Sequence, residues 1–135
     1  MDIRAIDLEQ VLPIRHQVLW PQEPIEYCLV DGDESAQHFG AFSNSQLVCV
    51  ASIYLDGTQA RLRKFATLPD YQAQGFGSAM IQFIVQYLAQ HQIRKFWCDA
   101  RESALPFYQR FGMQEEGKRF YKNGVPYFKA SINLT

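Results

Sequence analysis

The sequence predicts an α/β (α+β) fold: a mixed, mostly antiparallel central sheet of six to seven strands with helices on both faces. Three observations carry this reading. Runs of period two at His38 to Phe42, Gln46 to Leu55 and Gln59 to Leu68 are separated by Ser43-Asn44-Ser45 and by Asp56-Gly57, both turn-forming. From Gly75 to His91, Phe76, Ala79, Met80, Phe83, Ile84, Tyr87 and Leu88 recur at helical spacing, with Gln82, Gln86 and Gln90 on the wet face. A strand, a short helix and a hairpin follow, so helices alternate with strands between antiparallel runs.

Each element has a local reason. Met1 to Ile6 reads as an opening strand. Asp7 with Gln10 three residues on forms a capping-box pattern, and Leu8, Val11, Leu12, Val18 and Leu19 suit one helical face. Pro13 interrupts that face, because inside a helix it deletes a hydrogen bond and crowds the preceding turn; the helix either kinks there or begins near Leu12. Pro21 and Pro24 end it. Ile25 to Val30 is ambiguous between a helical turn and an extended piece, and the acidic run Asp31 to Ser35 is expected to be a solvated loop. In the run from Gln59, Ala60 and Leu62 share one parity and Phe65 and Thr67 the other, the slip a β-bulge near Lys64 produces; an exposed Lys64 on an edge strand explains it equally well. Lys95 to Ala100 is a strand. Ser103 is placed to cap a short helix with Ala104, Phe107, Tyr108 and Phe111 on one stripe and Gly112 as its terminator. Asn123-Gly124 joins Met113 to Lys122 and Val125 to Leu134 as a hairpin.

A chain of 135 residues that is 47% hydrophobic has room for one core, so a single domain over residues 1–135 is expected. A net charge of −1 offers no broad basic field for nucleic acid or an anionic membrane, and no apolar run reaches the roughly 18 residues of a bilayer span. Cys28, Cys49 and Cys98 lack the spacing of a zinc site and read as reduced, buried thiols. A soluble, cytoplasmic protein without a metal is the expectation.

Two features bear chemistry. Gln72-Ala73-Gln74-Gly75-Phe76-Gly77-Ser78 turns tightly into the long helix, whose first N–H groups and dipole form an anion site suited to a diphosphate. The lysine of a nucleotide-triphosphatase phosphate loop and the third glycine of a dinucleotide fingerprint are missing. A helix that merely begins on glycines is the alternative. Tyr108 lies on the packed stripe of its short helix, where a tyrosine more often bonds a core carbonyl; in a catalytic role its phenol would protonate a leaving thiolate.

Together, the strand, Gln-x-x-Gly-x-Gly, the amphipathic helix, the next strand and Ala-x-x-Phe-Tyr-x-x-x-Gly resemble the GNAT superfamily of acyl-CoA-dependent N-acyltransferases over nearly the whole chain. The resemblance implies transfer of an acetyl group from acetyl-CoA, or another short acyl-CoA, to a primary amine of a small molecule or peptide by direct attack. It also implies site residues: the backbone of Phe65, Ala66 and Thr67 aligning the pantetheine, Gln72 to Ser78 holding the pyrophosphate, and Tyr108 as general acid. Many members carry asparagine where Arg101 stands, so Ser103 or Asp99 is left to supply a pantetheine hydrogen bond. Tyr127 replaces the histidine of relatives ending in Gly-Ile-Pro-His. His16, Glu23, Glu26, His38 and Asp99 are candidates for the base, with an ordered water as the alternative. Arg101 also supports a rival, a non-catalytic acyl-CoA-binding regulatory module. A homodimer is compatible with either reading.

Overall fold

The computed structural model describes residues 1–134. In chain order the elements are β1 (Asp2–Ile6), α1 (Leu8–Leu19), β2 (Gln37–Ser43), β3 (Gln46–Asp56), β4 (Gln59–Thr67), α2 (Phe76–Gln90), β5 (Lys95–Arg101), α3 (Leu105–Gln109), β6 (Gln114–Lys122) and β7 (Val125–Asn133), with 3₁₀ turns at Ile25–Cys28, Pro69–Tyr71 and Glu102–Ala104. Among the described residues the strands form a seven-stranded sheet in the order β1-β2-β3-β4-β5-β7-β6. The α/β fold with a mixed sheet expected from the sequence is therefore present. By internal contacts the chain divides into two compact units, Met1–Tyr54 with Leu62–Ile84, and Leu55–Arg61 with Val85 onward.

In the first unit, β1 and β2 pair antiparallel, and β2 pairs antiparallel with β3 with a register shift between Ala41 and Phe42. Asn44 and Ser45 turn the β2–β3 hairpin at φ 50° and 69°, the left-handed geometry that matches strand twist in a two-residue loop. Gly40 is tightly covered: a Cβ there would lie 2.5 Å from Leu47 Cδ1 and 2.9 Å from Ile6 Cδ1, so both side chains would have to shift.

Helix α1 starts at Leu8, so Pro13 lies inside it and does not begin it. The start is held by a complete capping box between Asp7 and Gln10. The buried face is Val11, Ile14 and Arg15, a narrower stripe than the leucines suggest. Arg15 has no solvent exposure. Its guanidinium donates to both carboxylate oxygens of Asp33 at 2.9 and 3.0 Å, to the Cys28 carbonyl at 3.0 Å and to Ser52 Oγ at 2.8 Å. Tyr54 also donates its hydroxyl to Asp33. The acidic run is thus a solvated loop only in part, since Asp33 turns inward to meet the arginine. Burial alone would raise the Asp33 pKa; the hydrogen bonds from Arg15, Tyr54 and the Val30 N–H outweigh it and hold the carboxyl at about 2.

In the second unit, β4 and β5 pair in parallel through Gln59, Ala60 and Arg61 opposite Lys95, Phe96 and Trp97. Strand β7 pairs antiparallel with both β5 and β6. Asn123 and Gly124, at φ 49° and 78°, make the β6–β7 turn that their sequence announces. Phe96, Cys98 and Ala100 of β5 point into the core, while Trp97 stands on the other face with the Arg61 and Lys129 cations each 4.6 Å from its ring centroid.

Because the folded Asp33 carboxyl titrates below its unfolded value near 3.9, its stabilisation is complete above about pH 4 and disappears as pH falls through about 2. Asp33→Ala leaves the Arg15 charge buried without its partner, so chemical denaturation at pH 7 should show a loss of about 3–5 kcal/mol, shrinking between pH 4 and 2. Unchanged stability at pH 7 would remove the pair from any structural role.

Candidate active site

The anion-binding candidate is built by a turn and the helix it feeds. After β4, Leu68 N–H bonds the Val48 carbonyl at 2.9 Å and Pro69–Tyr71 makes one 3₁₀ turn. Ala73 and Gly75 then adopt φ 59° and 90°. Left-handed residues so close together are the backbone feature from which anion-binding nests are built. No atom lies within 4 Å of where a Gly75 Cβ would sit, so glycine serves the backbone angle there and not a close contact. The glutamines brace the turn: Gln72 Nε2 donates to the Thr67 carbonyl at 3.1 Å, and Gln74 Nε2 to the Asp70 carbonyl at 2.8 Å.

Helix α2 opens on this turn with Ala79 N–H bonding the Gly75 carbonyl at 3.0 Å. The N–H groups of Phe76, Gly77 and Ser78 come before that first rung of the ladder, and no acidic side chain occupies the first turn. Gln72 to Gly75 are exposed, Gly77 and Ser78 partly so, whereas Phe76 packs inward against Tyr71 with ring centroids 5.9 Å apart. Phe76 thus contributes its backbone alone to an anion. The arrangement suits a diphosphate, which needs N–H donors and partial positive charge.

Of the β4 candidates, Ala66 is buried while Phe65 and Thr67 are half-buried, and Thr67 Oγ1 donates to Cys49 Sγ at 3.3 Å. Lys64 has φ 54°, a left-handed residue inside a strand and the local distortion that a bulge there would bring. The burial alternation nevertheless continues across it through Ala60, Leu62 and Ala66, so the parity slip inferred from Phe65 and Thr67 is not seen in exposure.

In the second unit, Tyr108 lies on α3, and the Cys98 thiol of β5 acts on its hydroxyl. Burial, reinforced by Cys98, pushes the phenol well above its ordinary value. Tyr108 is therefore a donor at any working pH. Ser103 does not cap a helix: it lies exposed within the Glu102–Ala104 turn, and α3 starts after Ala104 with no side-chain cap, because the 3₁₀ turn runs straight into the helix. The residue of this segment that is buried is Leu105, with Phe107, Tyr108 and Phe111 only half-covered.

The base candidates separate clearly. His38 is buried, with Nδ1 2.6 Å from Ser52 Oγ and Nε2 2.9 Å from the Asp33 carbonyl, so it completes the Arg15 network. Asp99 is shared by Arg61 at 2.9 Å and Lys122 at 3.1 Å. The His16 ring bonds the Glu23 carbonyl at 2.6 Å, while Glu23 and Glu26 are exposed. Among the described residues no group of three His, Cys, Asp or Glu side chains is placed to hold a metal, and no helix is long and apolar enough to cross a membrane.

Comparison with known proteins identifies the family. The family model described as an acetyltransferase (GNAT) domain matches residues 7–134. An uncharacterized N-acetyltransferase of Bacillus subtilis, YitI, is 31% identical over 134 residues, covering 93% of this chain and 90% of that protein. The crystal structure of the ribosomal-protein-S18-alanine N-acetyltransferase from Escherichia coli superposes with a TM-score of 0.83 at 16% identity, over 99% of this chain and 94% of that one. A GNAT family acetyltransferase from Elizabethkingia anophelis, solved with acetyl-CoA bound, superposes with a TM-score of 0.78 at 15% identity, over 98% and 97% of the two chains. The last two likenesses concern the fold; the family model and the Bacillus relative go further, and by them this chain belongs to the GNAT acetyltransferases and is an acyltransferase.

Proposed function

We propose that the protein transfers an acetyl group from acetyl-CoA to a primary amine by direct attack of the amine, within one acyltransferase domain spanning residues 1–135. The observation that carries the donor half of this reading is the turn with left-handed Ala73 and Gly75 leading into the N-terminus of α2. Acetyl-CoA, when bound, supplies an activated thioester. The N–H groups of residues 72–78 hold its pyrophosphate, and the Phe65, Ala66 and Thr67 backbone runs alongside its pantetheine as an added strand would. Ser103, exposed and making no cap, keeps its hydroxyl available for the polar contact that an asparagine makes in many relatives.

Direct attack is supported by the cysteines. All three are buried and free. Burial raises Cys28, pushes Cys49 up to about 11, and pushes Cys98, with help from the Asp99 charge, up to about 12. A thiol so protonated and inaccessible is a poor nucleophile, which disfavours an acetyl-cysteine relay. Tyr108, held protonated, donates a hydrogen bond to the departing sulfur. The amine proton goes to Glu23 or Glu26, the exposed carboxylates among the base candidates, or to an ordered water. No observation favours the non-catalytic module, and Arg101, which suggested it, is simply exposed at the end of β5. We place the reaction in the cytoplasm, where reduced cysteines are the rule.

The test is mass spectrometry of products after incubating the protein with acetyl-CoA and a mixture of amines and peptides; an acetylated amine is expected, and acetyl-CoA bound with no acetylated product would overturn the reading. Tyr108→Phe should lower kcat by about tenfold or more with the acetyl-CoA KM changed less than about twofold. A variant with the chemical step at full speed would dismiss Tyr108 as the acid. Thiol labelling provides a third check: native protein at pH 8 should leave all three cysteines unmodified by a thiol reagent on the timescale that labels the unfolded chain at once. Rapid labelling of Cys98 would contradict its burial.

A further inference from the structure

The first unit leaves a concentrated apolar surface between α1 and Asp33. Trp20, Ile25, Tyr27 and Leu29 are 36%, 38%, 56% and 49% exposed, four large hydrophobic side chains within ten residues. Trp20 and Tyr27 meet edge to face with centroids 5.0 Å apart, a rigid pair held together by the folded loop and not by a flexible tail. Beneath them the loop is fixed: Arg15 bonds the Cys28 carbonyl, and Cys28 itself is fully buried. So ordered an apolar cluster, left uncovered, marks a surface that binds something.

Two further observations say what. Lys64, the left-handed residue of β4, brings its Nζ to 6.0 Å from the Trp20 ring centroid, so the cluster adjoins the residue immediately before Phe65, Ala66 and Thr67. The exposed charges within Trp20 to Glu34 are all negative, Glu23, Glu26, Asp31 and Glu34, with the remaining acid, Asp33, consumed by Arg15. Against the Lys64 ammonium near Trp20 the loop sets these four exposed carboxylates, so a ligand here gains from an apolar body and from a positive charge.

We infer that Trp20 and Tyr27, with Ile25 and Leu29, form the acceptor-binding surface and that the acceptor is a hydrophobic primary amine, an ammonium on an aromatic or aliphatic body. This rests on the acetyl-transfer reading and narrows it. The apolar body lies on the Trp20–Tyr27 pair, and the negative charge of the loop draws in the ammonium. Small polar amines forfeit the first contribution. Polyamines keep the second but have no compact apolar body for the aromatic pair, so both classes are poorer acceptors.

The experiment is a comparison of phenethylamine, ethanolamine and spermidine as acceptors at saturating acetyl-CoA, with phenethylamine binding measured separately by calorimetry on the acetyl-CoA-free protein. Phenethylamine should have a kcat/KM at least about tenfold above either competitor. Trp20→Ala and Tyr27→Ala should each lower that value by about tenfold, acting mainly through KM, with a much smaller fall for ethanolamine and the acetyl-CoA KM changed less than about twofold. Trp20→Phe should retain most of the preference, which a mere loss of folding would not allow. Equal use of the three amines, a preference for spermidine, or a Trp20→Ala effect shared equally by all acceptors would overturn the inference. Should none of the three be acetylated, the wider screen of amines and peptides decides the acetyl-transfer reading and calorimetry still decides this surface: phenethylamine binding lost in Trp20→Ala upholds it, and absence of binding to the unaltered protein refutes it.

Discussion

A guanidinium with no access to water must find its partners inside the protein, and that requirement organises the N-terminal half. Arg15 leaves α1 and meets the Cys28 carbonyl, the Asp33 carboxylate and Ser52 of β3, so one side chain ties together a helix, an irregular loop and a strand. Between Trp20 and Ala36 the regular structure consists of a single 3₁₀ turn, and the backbone hydrogen bonds within the loop join residues three apart, closing local turns without defining its path. His38 closes the ring by bridging Ser52 and the Asp33 carbonyl. A buried ion pair of this kind is a weak source of net stability compared with apolar packing, but it is strongly selective among arrangements. Its consequence is that Trp20, Tyr27 and their neighbours stand in one place despite being exposed.

The donor side depends on backbone more than on side chains. Gly75 and Ala73 supply angles, the glutamine amides fix the turn from behind, and the helix contributes unpaired N–H groups. This division suits a ligand common to a large family, because backbone donors do not vary with side-chain identity. Acceptor choice, on the proposal made here, falls to side chains of the loop between α1 and β2. Tyr108 belongs to a different kind of environment, since burial and the Cys98 thiol raise its phenol and hold it un-ionised. A proton donor of that sort assists a leaving thiolate modestly, which is all that a leaving group near pKa 8.5 requires.

Much of this was legible in the residues. Alternation, Asn-Gly and the heptad-like run of α2 announce strands, hairpin and helix because local geometry and burial agree there. The turn that feeds α2 was legible for the same reason, through glycines preceding an amphipathic helix. Arg15 was not, because an arginine on a helix reads as solvent-facing until its partner is known, and Asp33 sits in an acidic run that reads as solvated. Ala73 hid its left-handed angle behind a residue that rarely adopts one. Ser103 carried the right residue type for a cap, but a 3₁₀ turn running into α3 leaves no cap position for it. Each miss concerns a side chain or angle whose state is set by a partner distant in sequence or by the turn on either side of it.

The central claim is that acetyl passes straight from thioester to amine without resting on the enzyme. Initial rates measured with acetyl-CoA and acceptor both varied address it most directly, supported by the intact mass of protein exposed to acetyl-CoA alone. Intersecting lines in the double-reciprocal plot and an unaltered protein mass are the expected result. Parallel lines together with an acetylated cysteine would contradict the account.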